Sequence, residues 1–153
     1  KQFESHQTVN SQDVENAVWH LLCVARVSDI DEARKKLIPI AGDERVPMSQ
    51  VYEMFAGRLK PAEVLKAAQS DAPGGIQRKN LQLYYAHLSI GLYQEMMGNQ
   101  VASLVSMKKA ITCPATPGRP YLRRASENWA WQFVTIDTTP STCVPLLWQG
   151  PNW

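Results

Sequence analysis

The sequence lacks any uninterrupted apolar run of the length that a membrane span requires. A spanning helix needs about 18 to 20 apolar residues, and no such run occurs in this chain. We therefore predict no membrane span. The chain has 153 residues, of which 44% are hydrophobic and 20% charged, and this composition is typical of one compact soluble domain.

Cysteine is scarce. Cys23, Cys113 and Cys143 are too few and too widely spaced for a disulfide-stapled mini-protein or a CxxC zinc site. Cys113 and Cys143 are able to pair in an oxidising compartment, but distance along the chain does not establish the geometry that a disulfide needs. Their pairing is left open.

Catalytic motifs are also missing. The chain contains no glycine-rich phosphate loop, no HExxH and no GxSxG. His20 and Cys23 lie three residues apart on a predicted helix, where they are able to share a metal or act as base and nucleophile, but no second ligand pair lies nearby. We expect Cys23 to be a core residue and His87 to pack between repeats. We predict no enzyme activity, no metal and no cofactor.

The sequence begins with Lys1 rather than Met, as a processed chain or a piece of a longer one does. Residues 1–10 lack the apolar centre of a signal peptide. The compartment is therefore not predicted, and removal of a targeting segment from a secreted, periplasmic or organellar protein is left open.

What the chain does contain is apolar residues in steps of three and four, the spacing of amphipathic helices. Ser11 is the predicted cap of the first helix, and Asp29 with Glu32 forms a capping pattern for the second. Gly57 and Gly98 end later helices. The pattern predicts an all-α domain over 11–134, with hairpins at about 11–40, 47–70 and 78–113, a loop at 70–77 and a covering helix at about 119–133.

Two of these hairpins share a local pattern. Residues 51–57 and 92–98 align at an offset of 41 residues, so that Tyr52 matches Tyr93 and Gly57 matches Gly98. We interpret this as a degenerate helix-turn-helix repeat.

The hairpin at 80–114 resembles a tetratricopeptide repeat (TPR), most closely the TPR hairpins of bacterial secreted proteins and lipoproteins. Gly91 lies in the middle of its first helix, Gly98-Asn99 stands at the family's Gly-Asp turn, and Pro114 lies near the usual terminal proline. His87 and Ser103 depart from the family pattern. The resemblance implies a stack of about three hairpins, and a generic helical bundle is the alternative. The predicted repeat-packing residues are Tyr52, Gly57, Tyr85, Gly91, Tyr93, Gly98 and Ala110.

The formal charge of +2 hides an uneven distribution. Seven basic residues and only one acidic residue, Glu95, lie between positions 78 and 124. This segment is interpreted either as a basic face for an acidic protein, RNA or anionic lipid, or as an ordinary solvated surface. The predicted partner-binding residues are Arg78, Lys79, Lys108, Lys109, Arg119, Arg123 and Arg124, together with Trp148 and Trp153 from the tail.

The tail, residues 135–153, carries one charge, three prolines and two tryptophans. Proline at this density prevents a regular helix, so we predict an extended apolar strap that lies in the groove of its own repeats or on another subunit.

The sequence thus predicts a non-catalytic protein–protein interaction module, serving as a structural or accessory subunit of a larger assembly. The alternative is a nucleic-acid or ribosome-associated helical protein that uses the basic segment at 78–124.

Overall fold

The computed structural model describes residues 2–70 and 74–113, and all regular structure within these residues is helical. The all-α prediction is therefore confirmed. The predicted covering helix at 119–133 and the tail at 135–153 lie outside the described residues. The described helices are α1 (Gln2–Val9), α2 (Val14–Val27), α3 (Ile30–Lys35), α4 (Met48–Phe55), α5 (Pro61–Gln69), α6 (Gly75–Met96) and α7 (Gln100–Thr112).

Side chains near the chain turns fix where the first helices begin. Asp29 Oδ1 accepts a hydrogen bond of 2.8 Å from the Glu32 amide at the start of α3, as the capping pattern predicts. The cap of α2 differs from the prediction. Asp13, not Ser11, is the N-cap, and its Oδ1 accepts from the Glu15 amide at 3.0 Å. Asp13 holds this position because the loop that precedes α4 binds it from the other side, as shown below.

Helix α1 was not predicted, because residues 2–9 have no apolar stripe. One aromatic side chain attaches it to α2 instead. The Phe3 ring packs edge to face on His20, with 5.5 Å between the ring centroids, and Asn16 Nδ2 donates to the Phe3 carbonyl at 3.2 Å. Such an attachment depends on tertiary contact, which no local periodicity reveals.

Helix α6 is the central element. It has 22 residues and begins at Gly75, so the loop predicted over 70–77 is wrong for its last three positions. Its buried residues occur on several sides of the helix, because α4, α5 and α7 all pack against it. A helix surrounded in this way has no single apolar face.

The helices pack in chain order. Helix α2 contacts α3 and α4, α4 contacts α5 and α6, α5 contacts α6, and α6 contacts α7. The core between them is tightly filled: Phe55 is fully buried, and Tyr93 meets it edge to face at 5.6 Å between centroids. The other large, fully buried apolar side chains are Val14, Leu21, Pro47, Val51, Met54 and Val64.

One ion pair joins the first long helix to the central one. Arg26, near the end of α2, donates through Nη2 to Glu95 Oε1 at 2.5 Å, although the two residues are 69 positions apart. Burial raises the pKa of Glu95, and the Arg26 charge counteracts this rise only in part. The pair therefore tethers the C-terminal ends of α2 and α6 to each other.

Candidate interaction surfaces

The predicted repeat-packing residues take different places in the fold. Gly91 and Ala110 are buried between α6 and α7. A Cβ atom on Gly91 would lie 2.9 Å from Met107 Sδ and Cε, so the absence of a side chain allows the two helices to approach closely. Gly57 and Gly98 follow the ends of α4 and α6 with φ of 82° and 79°, a backbone conformation that favours glycine.

The three predicted tyrosines contact different neighbours. Tyr93 packs on Phe55, as described above, and the Tyr52 hydroxyl donates to the Ile38 carbonyl at 3.3 Å. Tyr85 is half-buried and packs edge to face on Tyr84, with 5.5 Å between centroids. Tyr52 and Tyr93, which align in the sequence repeat, therefore both face neighbouring hairpins.

The predicted basic surface is only partly described. Arg78 and Lys79 lie in the first turns of α6, whereas Lys108 and Lys109 lie in the last turns of α7. Because the two helices are antiparallel, both pairs belong to the same end of the hairpin. The other predicted partner-binding residues, Arg119, Arg123, Arg124, Trp148 and Trp153, lie outside the described residues.

The two basic pairs do not form one cluster. Lys109 lies close enough to His87 for its charge to act on the ring: burial lowers the pKa of His87, and Lys109 lowers it further. Arg78 lies nine residues before His87 on the same helix, which is an axial distance of about 14 Å. The described positive charge is therefore spread along this end of the hairpin.

The outward side of α7 is apolar. Val101, Leu104 and Val105 are 79%, 47% and 50% exposed and lie on one face of the helix. We call these three residues the α7 outer face. Ser103, Met107 and Ala110, on the opposite face, are buried against α6. Helix α7 thus presents small and apolar residues on both sides, and Lys108 follows the outer face by one turn.

A charged cluster that the sequence did not predict joins the loop before α4 to the start of α2. Arg45 donates from Nη1 to Glu15 Oε2 at 3.0 Å and from Nη2 to Asp13 Oδ1 at 3.2 Å and Asp43 Oδ2 at 2.6 Å. Its Nε also donates to Asp43 Oδ1 at 2.9 Å. We call these four residues the Arg45 cluster. Four of the five N–H groups of this guanidinium are engaged.

The three carboxylates of the Arg45 cluster do not titrate alike. Burial alone would raise the pKa of Asp43, but its hydrogen bonds with Arg45 and the Val14 amide lower this pKa below the usual range. For Glu15, burial outweighs Arg45 and the pKa is raised. Arg45 itself has a raised pKa, chiefly because of its hydrogen bonds to Asp43. A capping Asp and an acidic loop are common in sequences, so no local signal identified this cluster.

The same loop forms one wall of a pocket against α6. Its volume is about 360 Å³, and it lies between residues 45–48 and the first three turns of α6. Gln82 is 3% exposed and lines it, and we call it the Gln82 pocket. The remaining lining residues are Arg45, Val46, Met48, Gly74, Gln77, Arg78, Leu81 and Tyr85.

Two of the three cysteines lie within the described residues. Cys23 and Cys113 are both half-buried, and burial raises the pKa of the Cys113 thiol. Cys143, the residue with which Cys113 was considered to pair, lies outside the described residues. Within 2–70 and 74–113, no three His, Cys, Asp or Glu side chains converge in an arrangement able to hold a metal ion.

None of the described helices is both long and apolar enough to cross a bilayer. Comparison of the chain with models of protein families, with curated proteins and with solved structures finds no match in any of the three. The surfaces described above therefore carry the functional argument.

Proposed function

We propose that this chain is a non-catalytic protein–protein interaction module, acting as a structural or accessory subunit of a larger assembly. The observation that carries the proposal is the α7 outer face. Val101, Leu104 and Val105 expose their side chains on the last described helix, whose opposite face is already buried on α6. A helix that is apolar on both sides is typical of one that is covered on both sides in the functional assembly.

Charge favours an acidic protein as the partner that covers this face. Lys108 and Lys109 lie at the C-terminal end of α7, and among the described residues neither forms an ion pair with a carboxylate. The chain's own segment at 119–133 contains Arg119, Arg123 and Arg124 but only one acidic residue, Glu127. Packing that segment on α7 brings like charges together, whereas a partner helix with an acidic end is complementary.

The packing order of the helices supports a TPR-like stack as the scaffold of this module. The first helices of successive hairpins, α2, α4 and α6, contact each other in sequence, and α5 contacts the first helix of the next hairpin. Stacked hairpins of this kind pack on their neighbours from both sides, and the α6–α7 hairpin is the last one within the described residues. In the proposed assembly, the partner packs on the α7 outer face.

The proposal is tested by placing a photo-crosslinking amino acid at position 105 of the full chain and irradiating it in extract from its native source. We expect a crosslink to a helix of an acidic protein. The purified partner should then bind the full chain directly, and binding should weaken at least about tenfold in a V101D/V105D double variant.

The matched control is Val27→Asp, because Val27 is also an exposed valine, 72% accessible, but lies at the end of α2. It should bind the partner as the unchanged protein does. Crosslinks that reach only residues 119–133 of the same chain would contradict the proposal, as would a copurifying RNA whose binding survives V101D/V105D.

A further inference from the structure

Gln82, one of the residues that line the Gln82 pocket, contains a buried polar atom without a hydrogen-bond partner among the described residues. Gln82 is 97% shielded from solvent, and its Oε1 is buried with no hydrogen bond to any described residue. Buried side-chain amides in proteins are nearly always hydrogen-bonded, and one that is not requires an explanation. A ligand that brings a hydrogen-bonding group into the pocket is one such explanation.

The rim of the pocket contains an unused positive charge. The Arg45 guanidinium is already hydrogen-bonded to three carboxylates, so mainly the aliphatic part of this side chain is available to a ligand in the pocket. Arg78 stands on the α6 side, exposed, and its guanidinium makes no hydrogen bond or ion pair with any residue in the described ranges. Of the described residues that line the pocket, Arg78 therefore provides a cation without a partner.

Gly74 determines where the Arg78 side chain lies. Its φ is 124°, and a Cβ atom at this position would lie 2.6 Å from Arg78 Cδ and 3.0 Å from Arg78 Cβ. The stem of Arg78 packs over Gly74 because no side chain occupies that space. A larger residue at position 74 would displace the guanidinium from the mouth of the pocket.

The walls between the buried amide and the free cation are apolar. Met48 is 3% exposed, and Val46, Leu81 and Tyr85 are half-buried. The volume of about 360 Å³ falls within the range of about 300 to 1,000 Å³ that is typical of ligand sites. An apolar cavity with one amide and one cation selects a ligand that combines an apolar group, a peptide-like amide and a negative charge.

We propose that the Gln82 pocket binds an extended peptide segment of the acidic partner, in which an apolar residue is followed by Asp or Glu. The apolar side chain lies between Met48, Leu81 and Tyr85. The Gln82 carboxamide, whose Oε1 is enclosed in the unbound structure, turns towards the pocket when the segment binds; it both donates and accepts, as a main-chain peptide group does, and pairs with the backbone of the segment. The carboxylate of the acidic residue pairs with Arg78. The inference rests on the proposed function only for the statement that the ligand is a protein.

The test uses the full chain, labelled with ¹⁵N, and two blocked peptides as probes: acetyl-Leu-Glu-N-methylamide and its uncharged match, acetyl-Leu-Gln-N-methylamide. We expect the first peptide to shift the side-chain amide signals of Gln82 with a dissociation constant in the millimolar range, on the order of 1 mM. The second peptide should bind about tenfold more weakly, and Arg78→Gln should weaken binding of the first by a similar factor.

Two further variants separate a binding role from a structural one. Gly74→Ala keeps every pocket side chain but displaces Arg78, so it should reduce the preference for the Glu peptide over the Gln peptide. Lys108→Gln removes a positive charge of the same hairpin outside the pocket and should leave both affinities unchanged. Equal affinity for the two peptides would overturn the assignment of Arg78.

The outcomes also separate this inference from the proposed function. If neither peptide shifts the Gln82 signals at about 10 mM, while V101D/V105D still weakens partner binding at least about tenfold, the pocket inference is overturned and the proposed function stands. If the Glu peptide binds as described but the α7 outer face crosslinks only within the chain, the pocket inference is supported and the proposed function fails for that face.

Discussion

Arg45 and Arg78 border the same pocket, and they come from regions with different polar environments. Arg45 belongs to the loop before α4, where it is held by Asp13, Glu15 and Asp43. Arg78 belongs to the start of α6 and makes no such contact among the described residues. The loop before α4 thus holds its guanidinium in ion pairs within the fold, whereas the guanidinium at the start of α6 has no such pair among the described residues.

The apolar residues differ between the two regions in the same way. Val14, Ala17, Val18 and Leu21 of α2 are buried in the core. Helix α7, by contrast, exposes the three residues of its outer face. The comparison shows that α2 places most of its apolar residues in the shared core, whereas α7 places some in that core and exposes three others on its outer face.

The largest expected effect tests whether the core contributes to the free energy of unfolding and the α7 outer face does not. Phe55→Ala removes a fully buried ring in contact with Tyr93 and should lower the free energy of unfolding by about 3 to 5 kcal/mol. Leu104→Ser, on the α7 outer face, should change it by less than about 0.5 kcal/mol. Urea denaturation of the two variants measures both, and similar losses would mean that Leu104 belongs to the core.

A smaller effect is expected when Arg45 is removed. Arg45→Ala leaves the nearly buried Asp43 carboxylate, 4% exposed, without its cationic partner, and should destabilise the fold by about 1 to 3 kcal/mol at neutral pH.

The matched control for Arg45 is Arg58→Ala. Arg58 is 58% exposed and pairs with Glu53 at the surface, where such pairs contribute about 0 to 1 kcal/mol. If the two variants lose equal stability in chemical denaturation, the Arg45 cluster is only another surface ion pair and the contrast with Arg78 disappears.

The smallest expected effect lies within the α6–α7 hairpin. Because the pKa of His87 is lowered in the fold, this ring contributes stability that is fully present above its ordinary pKa of 6.5 and is lost as the pH falls below it. Lys109→Gln removes the second cause of the lowering and should move the His87 titration, followed by NMR, upward toward 6.5. Lys108→Gln, a change at the neighbouring residue, should leave the titration in place. If neither substitution moves the pKa of His87, burial alone lowers it.

Helices with strong periodicity were predictable from sequence, and contacts between distant residues were not. The hairpin formed by α6 and α7 has its turn at Gly98, where the pattern expects it, because glycine there is favoured by a local requirement for positive φ. The Arg45 cluster joins residues about 30 positions apart, and nothing near Asp13 or Asp43 distinguishes these carboxylates from ordinary capping and loop residues.

For the candidate surfaces, the residues involved were predictable from the sequence, but their positions relative to one another were not. The basic residues of 78–124 were found by counting charge, but the sequence did not show that Arg78 stands at the mouth of a pocket. Gln82 follows Leu81 on a helix that is buried on several sides, so helical periodicity assigns no special position to it. Apolar residues of α7 were recognised as helical, yet their division into a buried and an exposed face required the position of α6.

The Arg26–Glu95 pair limits how this protein can be divided into fragments. A peptide that begins at α6 would contain Glu95, which is partly buried, without the cation that offsets its burial. The isolated hairpin would therefore lose this tether to α2, and Glu95 in it would no longer have the surroundings that set its pKa in the intact chain. Dissection of the binding surfaces should for this reason proceed by point substitution in the whole chain rather than by excision of α6 and α7.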